Sequence, residues 1–201
     1  MTRITLPAAV ALVVAVASTS LAATFEIDPA HTSVQFAVRH LMVSTVRGTL
    51  GKVAGTLTLD EQDPTKSAVV ATIDVNGLDT REPKRDAHLK SPDFLDAAKY
   101  PTITFKSKRV TSAGAGKFQA VGDLTIRDVT REVTLDVEGA PQPFKDPFGN
   151  LKLGGSAHTK INRKDFGITW NKSLDGGGVL VGDDIDVTID VELAQKSADA
   201  K

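Results

Sequence analysis

Hydrophobic and polar residues alternate along most of this chain, in short runs separated by turn residues. Ser33–Arg39 puts Val34, Phe36 and Val38 on one face and Ser33, Gln35 and Arg39 on the other. That period of two predicts a half-buried strand. The same pattern returns at Val53, Gly55, Leu57 and Leu59, at Val69, Ala71, Ile73 and Val75, and at Ile103 and Phe105. Phe118, Ala120, Gly122, Leu124 and Ile126 form the longest clean alternation, and Asp128 marks a tight turn into a hairpin with Val133, Leu135 and Val137. Leu151–Ile161 and Val179–Leu193 complete the set, and Thr24–Ile27 is a short strand stopped by Asp28-Pro29. Between strands, Thr111–Gly116 and Pro141–Asn150 read as loops, Asn162–Trp170 as an irregular link and Leu174–Gly178 as a glycine turn. His40–Val46 is apolar without alternating.

One stretch breaks the pattern. About twenty-four residues, Gly77–Tyr100, separate two strands, and a connection that long carries structure or function of its own. Thr80 is suited to cap a first helical piece with Pro83 in its first turn. Ser91-Pro92-Asp93 has the N-cap, proline and carboxylate of a second helix start, and Tyr100-Pro101 ends it. Leu89, Phe94 and Leu95 give this insert an apolar side that must dock on, or plug, the β-structure.

Roughly eight strands with polar second faces cannot all be covered by one insert. Closure buries the apolar faces against each other and removes exposed edges, so the predicted fold is all-β, a closed antiparallel barrel with a helical insert. Small residues interrupt three apolar faces: Gly55, Ala120 with Gly122, and Gly155 with Ala157. They read either as bends at barrel corners or as inward positions that leave a lumen empty. An eight-stranded barrel is the size at which side chains fill the interior or leave room for one elongated ligand.

The 201 residues, 41% hydrophobic, suit a single domain, and the formal net charge of −1 argues against nucleic acid as a partner. Arg3, the apolar run Ala8–Ala17 and Ser20-Leu21-Ala22 make residues 1–22 a cleavable signal peptide. Its core, roughly 15 Å of helix, is short against a ~30 Å hydrocarbon layer. The barrel domain would then span residues 23–196, with a disordered tail at 197–201 and an address in the periplasm. The chain has no cysteine, which removes disulfides, thiol catalysis and thiolate metal sites.

The four histidines, His31, His40, His88 and His158, lie in separate segments without metal-ligand spacing. Asp86 and His88 are two apart and do not share a helix face. No nucleophile elbow, P-loop or dinucleotide fingerprint occurs. No metal and no cofactor are expected.

His31-Thr-Ser-Val-Gln-Phe through Arg47-Gly48 resembles the opening motif of the YceI-like family. Arg85-Asp-Ala-His-Leu through Asp93-Phe94 and Tyr100-Pro-Thr-Ile-Thr-Phe105 resemble its central motif. Gly122-Asp-Leu-Thr-Ile-Arg-Asp-Val-Thr-Arg131 and Ile161-Asn-Arg-Lys-Asp-Phe-Gly-Ile168 are similar to later ones. Four motifs in order cover essentially the whole mature chain. Asp128 departs from the family's usual Gly, a change expected to alter the turn more than the site. The resemblance implies a lipocalin-like barrel, usually periplasmic, that binds polyisoprenoid or related amphiphiles. It also associates relatives with base or acid stress and with quinone-dependent electron transfer beside cytochrome b561-type membrane proteins.

On this reading the chain is a non-enzymatic carrier of an isoprenoid- or quinone-type lipid. The expected lumen contacts are Phe36, Val38, Leu57, Ile73, Phe94, Phe105, Leu124 and Ile126, with Trp170 nearer the mouth. Arg85, His88, Asn162 and Arg163, joined by His40, either contact a headgroup or hold the insert on the barrel by caps and salt bridges. Two rivals stand beside it: a stress-induced interaction protein with a filled core, and an enzyme acting on an apolar substrate. A homodimer is a further partner expectation.

Overall fold

The computed structural model describes residues 22–139 and 142–196, so the signal peptide (residues 1–22) and the tail at 197–201 lie, apart from Ala22, outside the described residues. The strands are β1 (Ala23–Ile27), β2 (Ser33–His40), β3 (Ser44–Thr49), β4 (Val53–Leu59), β5 (Ala68–Asp74), β6 (Thr102–Gly114), β7 (Lys117–Ile126), β8 (Val129–Gly139), β9 (Phe144–Lys145), β10 (Leu151–Asn162) and β11 (Val181–Gln195). All pairings are antiparallel, and β10–β11 closes the sheet into a barrel of eight strands.

The count of eight holds because two of the walls are composite. β1 and β2 run in one direction along β11: Ile27 faces Leu193 and Ser33 faces Asp190, with Asp28–Thr32 looped out between them. β3 and β4 likewise follow one line, broken at Leu50–Lys52, where Leu50 N donates to Val34 O and Gly51 N to Asp74 O. Around the ring, neighbours in space are neighbours in sequence, as expected of an up-and-down barrel. The turn at Asp128 is present: Ile126 faces Val129, and Arg127 adopts a φ of 59°. The loop expected at Thr111–Gly116 is mostly strand, since β6 runs to Gly114 before pairing turns back at Lys117. Cross-strand hydrogen bonds there outweigh the poor β-propensity of the Gly/Ala/Ser run.

The insert differs from its expected form. It holds a single helix, α1 (Pro83–Leu89), capped by Glu82 and not by Thr80. Thr80 is occupied elsewhere: its N–H and its hydroxyl both donate to Asp86 Oδ1, and Arg85 donates through Nε to Thr80 Oγ1 and through Nη2 to Thr80 O. After α1 the chain makes consecutive turns instead of a second helix. Ser91 Oγ donates to His88 O, and Leu95 N and Ala97 N return to Leu89 O and Lys90 O, which satisfies the backbone without a helical ladder. Tyr100 donates its hydroxyl to Asp128 Oδ2 at 2.9 Å, tying the end of the insert to the β7–β8 turn.

One seam in the wall is incomplete. β8 and β10 pair from Gly139 opposite Gly155 to Asp136 opposite His158, and no further. Their upper halves part, although β10 stays paired to β11 as far as Asn162 and β8 to β7 as far as Val129. The 3₁₀ turn Arg163–Phe166 packs against β8 on this side.

Candidate functional site

Period-two alternation turns one face of every strand inward, and those faces are aliphatic or aromatic. The result is two apolar cavities in line, the lower of about 240 Å³ and the upper of about 170 Å³. Val34, Ile73, Phe105, Leu135 and Ile189 line both, so the two meet at the middle of the barrel. Leu89, Phe94 and Leu95 of the insert line the upper cavity. The insert therefore caps that end with its apolar side.

Phe36, Val38, Ile73, Phe94, Phe105, Leu124 and Ile126 all line the upper cavity, and Leu57, Ile73 and Phe105 line the lower one. Trp170 does not line either. Its ring packs on Phe94 (5.2 Å between centroids) and edge-on to His88 (4.8 Å), above the upper cavity. Residues that the alternation offered but that were not singled out include Val34, Leu135, Val187 and Ile189.

The small residues divide into two groups. A Cβ on Gly55 would lie 2.1 Å from Val70 O, and one on Gly122 would lie 2.4 Å from Lys106 O. These glycines permit close strand approach at bends, and neither lines a cavity. Ala120, Gly155 and Ala157 do line the lower cavity. There, missing side-chain volume becomes empty lumen.

The polar residues named from sequence do not converge on one point. Arg85 clamps Thr80, as described. Asn162 Oδ1 accepts from Lys164 N and caps the 3₁₀ turn. His88 Nε2 lies 2.9 Å from Asp93 Oδ2, with its ring against Phe94 and Trp170. His40 stands at the end of β2, opposite Ser44 and Val181. Arg163, 4% exposed, donates from Nε to Gly182 O, from Nη1 to Ile168 O and Trp170 O, and from Nη2 to Asp183 Oδ1. Burial pushes its guanidinium below the ordinary arginine range, and Asp183 opposes that shift. Arg163 also borders the upper cavity.

One cluster was invisible in the sequence. Asp28, His31 and Glu192 bring ligand atoms within 4.8 Å of one another. Lys152 Nζ lies 2.8 Å from Glu192 and 3.4 Å from Asp28, so a resident ammonium already balances the carboxylates. The pair Asp28–His31 fastens the loop between β1 and β2.

The YceI-like domain matches residues 25–193. A UPF0312 protein of Vibrio cholerae is 38% identical over 162 residues, 79% of this chain and 84% of its own length. The crystal structure of the Campylobacter jejuni YceI protein is 31% identical, with a TM-score of 0.66 over 79% of this chain and 90% of that one. At 10% identity, a polyisoprenoid-binding domain from Saccharophagus degradans shares the fold alone, with a TM-score of 0.60 over 88% of this chain and 100% of that one. With its closed eight-stranded barrel, capped apolar cavities and a match spanning nearly every described strand, this chain belongs to the YceI-like family.

Proposed function

We propose that this protein binds and carries a long-chain isoprenoid or related amphiphile, of polyprenyl or quinone type, with its tail in the barrel. The observation that carries the reading is the pair of abutting apolar cavities, about 240 and 170 Å³, whose walls are aliphatic and aromatic. Burial of a chain gains ~0.8 kcal/mol per CH₂, so about ten carbons offer ~8 kcal/mol before association costs. The polyisoprenoid-binding domain of similar fold supports the choice of ligand. An interaction protein acting only through its surface needs no such void. A catalytic reading needs a nucleophile with a base, or an acid–base pair, within reach of the substrate, whereas the polar side chains lining the cavities are Thr32, Ser67 and Ser156 below and Thr159 and Arg163 above, with no carboxylate or histidine among them.

The proposal places the mature chain in the periplasm after removal of residues 1–22, as the N-terminal pattern favours. Hand-over to a cytochrome b561-type membrane protein and a stress role come from the family resemblance, and homodimer formation is a separate expectation. Crosslinking in membrane-bearing spheroplasts tests the first of these. The ligand test is mass spectrometry of organic extracts from the purified mature protein, with denatured protein as control. A stoichiometric prenyl lipid or quinone is expected. An empty extract, together with no binding of added prenyl lipids, overturns the reading.

A further inference from the structure

The upper seam between β8 and β10 has a cavity on each side of it. Inside lies the upper apolar cavity; outside lies a solvent-open cleft of about 500 Å³. Thr159 and Ile161 line both, so one layer of side chains separates the lumen from this cleft.

Two polar groups at this seam have unused capacity. Thr159 is 8% exposed, and its hydroxyl makes no hydrogen bond among the described residues. That oxygen is not sealed from solvent, so it is open to a ligand oxygen entering from the cleft. The Asn162 side chain accepts from Lys164 N through Oδ1, while Nδ2 has no partner among the described residues. Both groups lie on β10 where it leaves β8.

The charges around the cleft select what could fill it. Glu132, Asp136 and Asp165 line it, against Arg131 and Lys160. Lys160 lies 3.4 Å from Asp186, outside the cleft lining, so part of its charge is already balanced. Glu132 is likewise shared with Lys108 at 3.3 Å, so an anionic head would enter beside Asp136 and Asp165 and meet Arg131 as the main counter-charge. A neutral oxygen would meet a hydroxyl and an amide donor with no ion to desolvate.

We propose that the parted β8–β10 seam seats the polar head of the bound amphiphile, and that this head is an uncharged hydroxyl or carbonyl and not a phosphate. The inference rests on the lipid-holding function proposed above. The tail occupies the upper cavity, and the head reaches Thr159 and Asn162 through the wall. Arg85, His88 and Arg163 then hold the insert and the mouth, and need not touch the head.

Farnesol and farnesyl diphosphate carry identical tails and differ only in the head. Titration of delipidated protein is expected to show farnesol bound about tenfold more tightly or better. The double variant Glu132→Gln, Asp165→Asn should raise affinity for the diphosphate several-fold and leave farnesol unchanged. Thr159→Val, which keeps the side-chain volume, should weaken farnesol about fivefold and leave squalene, which has no head, unaffected. A farnesol analogue with a diazirine beside the head should crosslink within residues 132–136 or 158–165. Equal or tighter diphosphate binding, an unchanged ratio in the double variant, or crosslinks confined to residues 85–94 overturns the seam proposal while lipid binding stands. Failure of farnesol, farnesyl diphosphate and squalene alike overturns the lipid-holding function itself.

Discussion

Arg163 donates through Nη1 to the carbonyl oxygen of Trp170 at 2.9 Å, which couples the one buried charge among the described residues to the chain's one tryptophan. The same guanidinium holds Ile168 O and Gly182 O and pairs with Asp183. Lysine is a point charge with three donors and cannot reproduce this planar fork. Arg163→Lys is therefore expected to leave at least one buried carbonyl unpaired and to cost about 2 kcal/mol. Urea unfolding followed by tryptophan fluorescence measures the cost. Native-state emission should also shift to the red as Trp170 loosens from Phe94 and His88. A variant with wild-type stability and emission would contradict this account.

Gly48 has a packing role that its place in β3 does not advertise. A Cβ there would stand 2.6 Å from Phe36 Cζ and 2.6 Å from Thr80 Cγ2. Phe36 lines the upper cavity and Thr80 anchors the insert, so Gly48→Ala must push one of them. A destabilisation of about 1–3 kcal/mol is expected, as for other overpacked sites. Affinity for a prenyl lipid should fall as the Phe36 ring is driven into the lumen. Calorimetry on the purified variant, with and without farnesol, checks both.

Filling the lower cavity separates stability from binding. Ala157 lines that cavity and is only half-buried, so Ala157→Phe places a ring in space that is already empty. The expectation is a folded barrel, with stability changed by no more than about 1–3 kcal/mol, that takes up long-chain lipids poorly. Undiminished uptake of a long polyprenol by this variant would mean that the lower cavity does not hold the tail.

The Asp28–His31 contact has a defined pH window. The hydrogen bond from His31, followed by the backbone bond from Ala30, holds Asp28 down at about 2, so its contribution is full above the ordinary carboxylate value and is lost as pH falls through about 2. The same bond raises His31, whose contribution is full below 6.5 and is lost as pH rises through the elevated value. The loop between β1 and β2 is thus best fastened between about pH 4 and 6.5. NMR titration of His31 should give a midpoint above 6.5, returning toward it in Asp28→Asn. An identical midpoint in both proteins would refute the coupling.

The barrel was legible because each strand's apolar positions recur every second residue, a signal independent of what lies across the wall. The cavity-lining set was legible for the same reason: Phe36, Phe105, Leu124 and Ile126 share the inward face of their strands. Tertiary contacts set the rest. Thr80 looks like a cap, yet it is spent on Asp86 and Arg85, and Glu82 takes the cap. Ser91-Pro92-Asp93 reads as a helix start, but Phe94 and Ala97 must reach the core within one short connection, and turns deliver them there. Glu192 and Lys152 meet Asp28 only after the barrel closes, and the parting of β8 from β10 leaves no trace in the periodicity of either strand.

The looped-out residues Asp28–Thr32 also divide the barrel wall into a tolerant part and an intolerant part. Pairing resumes at Ser33 opposite Asp190, Thr32 is held to Glu192 by two hydrogen bonds, and Val34, Phe36 and Val38 aim inward beyond them. Extra residues placed at Pro29–Ala30, such as an epitope or a small fused domain, would disturb little beyond the Asp28–His31 fastening. β7 has no such joint between Lys117 and Ile126. A single residue added near its middle would turn every side chain beyond it to the opposite face, exchanging Leu124 and Ile126 for polar neighbours in the lumen. The places where this chain can be lengthened without losing its interior are therefore set by where its strands are already broken.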